Sequence, residues 1–377
     1  MSKTSVTSVV PPAPQSSPPI DTFGDERLFA AGINYPLLSV IITNYNYAQY
    51  VIETLESVIK QTYTHWECIV VDDVSMDDSV SRIKEFIDNA PPMEKEKFTL
   101  ICRKTNGGQM EAFRDGLSKA QGNFCMMLDS DDVLLPDFME THIKAHLGRR
   151  SVAFTSSNQY QIDGQGKVIA GDHPDHMSKG KYRYIPDTHL HKGYWIWATA
   201  SSMVFRMDTL RLIMPDPGIT FRICADYYIA HFANQLGNSL LIPSFHGCYR
   251  RHGENNFGSN PIVGAINSVG CLDQHPPHDE FRWTMINHII KHYNKFYRIY
   301  MEKGIVKILC RLATLRELLK ITEDNQEIFT RSTWLYIWQY ICFHTPRWYK
   351  SRQKWQKRLI TVPEEYFFNG KGENPFP

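Results

Sequence analysis

The amino-acid sequence predicts an α/β fold in which a mostly parallel sheet is flanked by helices and followed by a C-terminal helical extension. Between residues 37 and 148, apolar runs typical of buried strands alternate with segments of helical period. Short connections join these segments, which favours right-handed crossovers within one sheet. Polar residues follow each of the four predicted strands, so these residues should gather at one edge of the sheet.

The first two predicted strands enclose an amphipathic helix. Residues 37–43 form an apolar, β-branched run that is typical of a buried strand, and a turn is predicted at 44–46. Apolar side chains then recur at helical spacing over 47–61. The second strand is predicted over 66–71, and a second helical pattern covers 80–87.

The next part of the alternation ends in an acidic cluster. Its predicted elements are a strand over 98–102, a helix over 110–120 and a strand over 124–128. Asp129, Asp131 and Asp132 come directly after that last strand. Carboxylates spaced so closely repel one another, and a divalent cation would neutralise them. The alternative interpretation is a solvated acidic turn.

The second part of the chain predicts a less regular mixture of elements. The predictions are a helix over 137–148, strands over 151–162 and 198–205, a turn at 163–166, an irregular stretch over 171–195 and helices from 208 and over 224–236. Residues 240–243 and 245–249 then lead to the segment 250–256. His142 and His146 stand one helical turn apart, a spacing that could ligate a metal. We favour the interpretation that they are surface histidines.

The length of 377 residues suits two domains, or one domain with a large extension. The predicted organisation is a disordered leader at 1–35, an α/β domain at 36–255, a loop or linker at 256–280 and a basic, aromatic helical region at 281–377. Eight scattered cysteines form no Cys-x-x-Cys pair, which favours reduced core thiols in a cytoplasmic protein. The sequence contains neither a spanning apolar stretch nor the apolar core of a signal peptide.

The net charge of +1 hides an asymmetry between the two parts of the chain. Residues 281–360 hold 16 lysines and arginines against 5 acids, a surplus of +11. Of the 41 basic and 40 acidic residues in total, 25 and 35 therefore remain elsewhere, a balance of −10. This asymmetry indicates that the C-terminal region meets an anionic partner. We do not expect that partner to be a nucleic acid.

Four motifs in the first half, read in order, carry a resemblance to a known family. They are Ser-Val-Ile-Ile-Thr-Asn-Tyr-Asn at 39–46, Leu-Glu-Ser-Val-Ile-Lys-Gln-Thr-Tyr at 55–63, Val-Val-Asp-Asp-Val-Ser-Met-Asp-Asp-Ser at 70–79 and Leu-Asp-Ser-Asp-Asp at 128–132. The sequence resembles family 2 glycosyltransferases, which have the GT-A fold, a Rossmann-like sheet flanked by helices. The resemblance covers about residues 36–255 and is more specific in its first half.

The resemblance implies a site for a nucleotide-diphosphate sugar, commonly a UDP-sugar. By motif, the residues that would contact the nucleotide are Thr43, Asn44, Tyr45, Asp72, Asp73 and Asp129. Gly108 is added as a candidate because Gly107 and Gly108 form a turn that could approach a phosphate, although no P-loop lysine accompanies them. Asp131, together with Asp129, would hold Mn²⁺ or Mg²⁺, since hard cations prefer carboxylate oxygens.

The resemblance also implies a catalytic base in an acidic pair that opens a helix. Asp226 matches the second position of that pair, whereas Ala225 stands where the family has Glu. The alternative interpretation is that Asp226 only caps the helix. Near the end of the domain, Arg250 and His252 match a signature whose side chains would reach the diphosphate; the alternative is a surface turn. The implied reaction is inverting, by one in-line displacement.

The sequence also bears on whether the protein would add one sugar or many, and on which other functions stay open. The Gln-x-x-Arg-Trp pattern of processive polymerases is absent, which favours transfer of a single sugar. A nucleotidyltransferase that makes a nucleotide sugar remains an alternative, as does a non-catalytic module that binds nucleotides or glycans. Acceptor selection is expected in 155–195 and 256–280. A homo-oligomer is left open.

The C-terminal region combines aromatic and basic residues. These are Trp334, Tyr336, Ile337, Trp338, Tyr340 and Phe343, then Arg347, Lys350, Arg352, Lys354, Lys357 and Arg358. Such a combination suits peripheral contact with the inner face of an anionic membrane through 330–360. The acceptor would then be a lipid-linked or envelope glycan. The alternatives are packing of the aromatics on the catalytic body or a dimer contact.

Overall fold

The computed structural model describes residues 35–148, 151–187, 190, 194–219, 221–252, 278–339 and 360–361. The predicted leader lies outside the described residues except for Tyr35. The same is true of the predicted linker up to residue 277 and of the basic stretch 347–358.

Four parallel strands form one half of the sheet, as the sequence predicts. They are β1 (Leu38–Asn44), β2 (Trp66–Asp72), β3 (Phe98–Cys102) and β4 (Phe124–Asp129), in the order β3-β2-β1-β4. The pairings of β1 with β2, β1 with β4 and β2 with β3 are all parallel. The connecting helices are α1 (Val51–Ile59), α2 (Ser79–Asn89), α3 (Pro92–Lys95) and α4 (Gln109–Lys119). The predicted alternation of strands and helices is confirmed.

Beyond β4 the sheet is mixed. Its further strands are β5 (Val133–Leu134), β6 (Phe154–Asp163), β7 (Val168–Ala170), β8 (Arg183–Ile185), β9 (Met203–Arg206), β10 (Ser239–Arg251) and β11 (Ile360–Thr361). Strand β9 is antiparallel to both β4 and β6, and β10 is parallel to β6. Therefore β6 and β10 run in the same direction as β4. Their carboxyl ends reach the edge of the sheet at which β1 and β4 also end.

Residues 240–243 and 245–249, which the sequence analysis leaves without a secondary structure, form the single strand β10. Its pairing with β6 shifts register between Ile242 and Gly247. Pro243 lies in this stretch and has no N–H to donate to the ladder, which accounts for the irregularity. The predicted strand over 198–205 begins instead as a short 3₁₀ turn, Ala200–Ser202, before β9.

The C-terminal helices pack against the same core as the sheet. The remaining helices are α5 (Phe138–Leu147), α6 (Met207–Ile213), α7 (Ala225–Gly237), α8 (His278–Lys291), α9 (Tyr293–Leu312), α10 (Leu315–Asp324) and the helical segment 331–339. Phe281 of α8 packs 4.3 Å from Phe221, and Phe296 of α9 stacks 6.0 Å from Phe232 of α7. The predicted helical extension is confirmed, and its aromatics are partly used in packing.

The prediction that His142 and His146 lie at the surface is wrong. Both side chains are buried between α5 and the sheet. His142 Nδ1 lies 2.6 Å from Thr155 Oγ1, and His146 Nε2 lies 2.8 Å from the carbonyl oxygen of Val204. Burial lowers the pKa of His146 to about 3 and that of His142 well below its usual range. The two histidines are therefore neutral core residues, and they continue the apolar stripe of α5.

Two further features concern the cysteines and the hydropathy of the helices. None of the six cysteines in the described part of the chain forms a disulfide, and all but Cys102 are buried. Within the same part, none of the helices combines the length and the apolar character that crossing a membrane requires.

Candidate active site

The carboxyl edge of the sheet brings together the polar residues that follow β1, β2 and β4. Thr43 pairs in register with Asp129 across β1 and β4, and Asn44 pairs with Asp72 across β1 and β2. Tyr45 is 47% exposed at this edge. The parallel pairing therefore brings Thr43, Asn44, Asp72 and Asp129 to one edge of the sheet.

Asn44 and Asp72 fix the turn after β2. The Asn44 side-chain amide donates to Asp72 Oδ1 at 2.8 Å and to Ser75 Oγ at 3.1 Å. The other Asp72 oxygen accepts from the Ser75 backbone N–H at 2.9 Å. Val74 in this turn has a positive φ of 70°, a conformation that costs a β-branched residue energy. The hydrogen bonds of Asp72 stabilise that strained turn.

Asp73 holds the turn after β3. Its Oδ1 accepts from Arg103 at 2.5 Å and from the Gly107 N–H at 2.9 Å, and its Oδ2 accepts from the Gly108 N–H at 2.7 Å. Gly108 has a φ of 81°, and a Cβ there would come within 2.6 Å of the Arg222 Cα. Only glycine fits this conformation and this approach. The turn after β3 is therefore in close contact with the segment that precedes α7.

The acidic cluster is partly buried and its charges interact. Burial and the neighbouring charges of Asp131 and Asp226 raise the pKa of Asp129 to about 8. Burial and the charges of Asp131 and Asp129 raise the pKa of Asp132 well above its usual range. Asp132 Oδ1 accepts from the Arg250 backbone N–H at 2.9 Å, and Asp131 Oδ2 lies 2.9 Å from His252 Nε2. The hydrogen bond of Asp132 thus connects β10 to the loop that carries the acidic cluster. Asp129 and Asp131 remain as the candidate ligands for a cation.

The guanidinium of Arg250 is surrounded by protein. It donates to the carbonyl oxygens of Asp131 at 2.7 Å and Asp163 at 3.4 Å, and to Glu53 at 2.5 Å. It also lies 4.7 Å from the ring of Tyr50. These contacts position the loop that carries Asp131. They differ from the direct diphosphate contact that the sequence predicts for Arg250, whereas His252 lies beside the Asp131 carboxylate.

Asp226 lies in the first turn of α7, where its carboxylate is partly exposed. The residue before Ala225, Cys224, has a left-handed φ of 58° and is the N-cap, and it makes no side-chain cap hydrogen bond. Asp226 Oδ1 accepts from the N–H of the next residue, Tyr227, at 2.9 Å. Burial raises the pKa of Asp226 to about 6. Asp226 is therefore not the helix cap, and its pKa suits a group that accepts a proton near neutral pH.

Gln109 links Asp129 to the first residue of α7, next to Asp226. Its side-chain N–H donates to Asp129 Oδ1 at 3.2 Å, and its side-chain oxygen accepts from the Ala225 N–H at 3.1 Å. Its backbone N–H donates to the Arg222 carbonyl oxygen at 3.1 Å. Sequence reasoning missed Gln109 as a site residue. One feature of the sequence could have indicated Gln109: it follows Gly108 directly in the polar turn after β3.

We expect Gln109→Ala to lower the rate of catalysis at this edge of the sheet about tenfold, because leaving a buried polar partner unpaired costs about 1–3 kcal/mol. The loss should appear mainly in kcat, since the variant frees Asp129 and the start of α7 from one another. Steady-state kinetics would measure it. Gln121→Ala, an exposed glutamine outside the cleft, is the matched control. A wild-type kcat for Gln109→Ala would show that the bridge has no catalytic role.

The acids at the edge fit a divalent cation that a substrate helps to hold. Asp129 and Asp131 present hard oxygen ligands, and the pKa of Asp129 is raised by burial and by the neighbouring charge of Asp131, which a cation would relieve. Within the described residues, no set of three or more His, Cys, Asp or Glu side chains is placed to hold a metal ion by itself. Such a site is completed by ligands from outside the protein, as when Mg²⁺ is bound by one or two carboxylates and substrate phosphates.

Comparison with known proteins identifies the class to which this sheet and its acidic edge belong. The family model described as Glycosyl transferase family 2 matches residues 39–204, which include β1 to β4 and the acidic cluster. An uncharacterized glycosyltransferase of Nostoc sp. is 31% identical over 221 residues, 58% of this chain and 66% of the relative. The chain thus contains a glycosyl transferase family 2 domain over residues 39–204, and the resemblance of its four motifs is confirmed.

Two further proteins indicate how widely the similarity extends. The UDP-Glc:alpha-D-GlcNAc-diphosphoundecaprenol beta-1,3-glucosyltransferase WfgD of Escherichia coli is 30% identical over 133 residues, which are 35% of this chain and 49% of the relative. The crystal structure of GalNAc-T7 with UDP, GalNAc and Mn²⁺ aligns with 78% of this chain and 55% of its own chain, at 15% identity and a TM-score of 0.49. The chain thus spans about half to two thirds of the curated relatives described.

Proposed function

We propose that this protein transfers a single sugar from a nucleotide-diphosphate sugar to an acceptor hydroxyl, with inversion at the anomeric carbon. The observation that carries the proposal is the position of Asp226. Its partly exposed carboxylate, with a pKa of about 6, lies close enough to Asp129 for the two charges to interact. A candidate base thus lies beside the candidate donor site, and Gln109 links Asp129 to the Ala225 N–H at the start of the helix that carries this base.

The donor would bind along the carboxyl ends of β1, β2 and β4. Thr43, Asn44 and Tyr45 would line the base, and Asp129 would face the ribose. The hydrogen bonds of Asp72 and Asp73 support an indirect role, in which they fix the turns that border the base pocket. The name of the Escherichia coli relative includes UDP-Glc, which supports a UDP-sugar as the donor.

Asp131 and Asp129 would hold Mn²⁺ or Mg²⁺, and the bound cation supplies stabilisation of the negative charge that develops on the departing diphosphate. His252 would contact the diphosphate from the side of Asp131, since its Nε2 lies 2.9 Å from that carboxylate. Arg250 would act through the loop, because its guanidinium donates to the Asp131 carbonyl oxygen at 2.7 Å. Gly108 would act through its positive φ, which shapes the turn after β3 beside the donor site.

Asp226 would accept the proton of the acceptor hydroxyl as that oxygen attacks the anomeric carbon. The new glycosidic bond forms on one face of the sugar while the bond to the phosphate oxygen breaks on the other. The products are the extended acceptor, with inverted configuration, and the nucleoside diphosphate. General bases of this kind contribute about 10²–10⁴-fold to a rate.

The experiment that tests the proposal mixes the purified protein with UDP-sugars and Mn²⁺ and follows release of UDP, including slow release to water. Release that EDTA abolishes is the expected result. Release of pyrophosphate from a mixture of nucleoside triphosphate and sugar phosphate would favour the nucleotidyltransferase instead. Nucleotide binding without either reaction would favour the binding module.

We further propose that the acceptor is an envelope glycan or glycolipid and that the protein approaches it at the inner membrane face. The helical segment 331–339 leaves Trp334 and Trp338 exposed at 40% and 66%, whereas Ile337 is buried. Its apolar outer face supports contact with a membrane or another apolar partner. The basic residues at 347–358, which would add attraction to anionic lipid, lie outside the described part of the chain.

A variant with both Trp334→Ser and Trp338→Ser should lose most of its binding to vesicles that contain phosphatidylglycerol, because interfacial binding grows with buried apolar area. Flotation of vesicles with and without the anionic lipid measures this. Met93→Ser, at an exposed methionine on α3, is the control. Equal flotation of the double variant and the wild-type protein would contradict the membrane contact.

A further inference from the structure

Strand β10 presents two arginines to opposite sides of the sheet. Arg250 and His252 face the loop of the acidic cluster, where they contact the main chain and the side chain of Asp131. Successive strand residues alternate, so Tyr249 and Arg251 face the other side. There the ring of Tyr249 packs 5.6 Å from His173, in the segment in which the sequence predicts acceptor selection.

Arg251 is buried without a partner. The residue is 4% exposed, and its Nε and one terminal nitrogen are fully enclosed with no hydrogen-bond acceptor. Across the described ranges of the chain, its guanidinium makes neither a hydrogen bond nor an ion pair. Arg250 and Arg103 differ from it, since both donate to acids of the same cleft.

No carboxylate of the described residues forms an ion pair with Arg251. Its Cζ lies 6.0 Å from the Tyr249 ring. Burial, with the charges of His176 and Arg251, lowers the pKa of His173 to about 3, so His173 is neutral. Burial raises the pKa of Asp175 and the charge of Arg251 opposes that rise, but the two side chains do not form an ion pair.

Arg251 also lies near the reacting groups. Burial and the charges of Asp132, Asp131 and Asp129 raise the pKa of Tyr249 well above its usual range, and Arg251 acts on the same hydroxyl in the opposite direction. The hydroxyl of Tyr249 is therefore within electrostatic range of both the acidic cluster and the guanidinium of Arg251. A group bound by Arg251 would be close to the cleft but on the side away from Arg250 and His252.

We propose that Arg251 binds an acidic group, a phosphate or a carboxylate, carried by the acceptor. An enclosed cation without a counter-ion is costly, and a ligand that brings the counter-ion removes that cost. The planar guanidinium matches the paired oxygens of phosphate and carboxylate. The donor diphosphate is placed on the other side of β10, beside Asp131. This inference rests on the proposed function and defines its acceptor as an acidic molecule.

The test compares three probes on the full chain, each with and without UDP and Mn²⁺: glycerol phosphate, glucuronate and neutral glucose. Their dissociation constants are measured by titration for the wild-type protein, for Arg251→Gln and for Arg251→Lys. We expect one acidic probe to bind at least about tenfold more tightly than glucose, and Arg251→Gln to remove that preference. The stronger probe then distinguishes a phosphate from a carboxylate.

The melting temperature and the affinity for UDP with Mn²⁺ distinguish loss of an acceptor contact from a general effect on the fold or on the donor site. Arg251→Gln should melt at or above the wild-type temperature, because it removes an unpaired buried charge, whereas Arg316→Gln on α10 should change neither property. An unchanged preference for the acidic probe in Arg251→Gln would overturn the proposal. A variant that kept this preference but lost affinity for UDP with Mn²⁺ would also overturn it. If the wild-type protein binds no nucleotide, the donor assignment fails, while the titrations without nucleotide still decide the role of Arg251.

Discussion

Asp226→Asn is expected to lower the rate of sugar transfer by about 10²–10⁴-fold while the affinity for UDP with Mn²⁺ stays close to wild type. The amide keeps the size of the side chain and can still accept from the Tyr227 N–H, but it cannot take the proton of the acceptor hydroxyl. Single-turnover kinetics with saturating donor measure the loss. Because the binding of the donor depends on other residues, the loss should appear in the chemical step.

The pH dependence provides an independent test of the same residue. Since burial raises the pKa of Asp226 to about 6, the carboxylate is ionised and active above that pH. Below it, kcat/KM should fall about tenfold for each pH unit, and Asp226→Asn should lack this limb. The stability of the folded protein should change in the opposite direction to the activity. Between pH 3.8 and about 6, Asp226 is protonated in the folded state but ionised in the unfolded state, so its contribution to stability falls as pH rises through that range.

Asp226→Asn should therefore raise the melting temperature at neutral pH. Asp208→Asn is the matched control, because Asp208 is an exposed acid in the first turn of α6. If Asp226→Asn retained wild-type turnover, or if its pH profile kept the acid limb, another group would have to be the base.

The second large effect is expected for Asp131→Asn, which should weaken the binding of UDP with Mn²⁺ by at least about 100-fold. Changes to groups that only support a metal ligand already cost about 10–100-fold, and this change acts on the ligand itself. The amide can still accept from His252 Nε2, which lies 2.9 Å from the carboxylate, so the change removes mainly charge. Calorimetric titration with UDP, at fixed Mn²⁺, measures the effect.

EDTA should reproduce this loss in the wild-type protein and change the Asp131→Asn variant little. Asp88→Asn provides the control, since Asp88 lies on the surface of α2 and pairs with Lys95. Metal-dependent binding of wild-type strength in Asp131→Asn would remove Asp131 from the cation site.

The parallel half of the fold could be predicted because its information is local. The β-branched run before Asn44 and the apolar run before Asp129 specify buried strands by composition alone. Once those strands are parallel, their carboxyl ends share an edge, so the acids had to converge. The resemblance extended this to Asp226, although the residue at 225 departs from the family pattern.

The remaining features depend on contacts between residues far apart in the chain. Arg250 donates to Glu53, and Gln109 accepts from Ala225, and no local pattern specifies either pair. His142 and His146 look polar in the sequence, yet α5 turns them onto β6 and β9, where single hydrogen bonds satisfy one nitrogen of each. Side-chain roles that arise from such packing can be read only from the folded structure.

The most direct test of metal-dependent nucleotide binding is a thermal-shift panel of UDP, GDP, CDP and dTDP, each with Mn²⁺ and with EDTA. A ligand at about 100 times its dissociation constant stabilises a protein by about 2.7 kcal/mol, which produces a clear shift. We predict a shift with UDP that requires Mn²⁺ and disappears in Asp131→Asn. No shift with any of the four nucleotides, or an equal shift in EDTA, would contradict the proposed donor site.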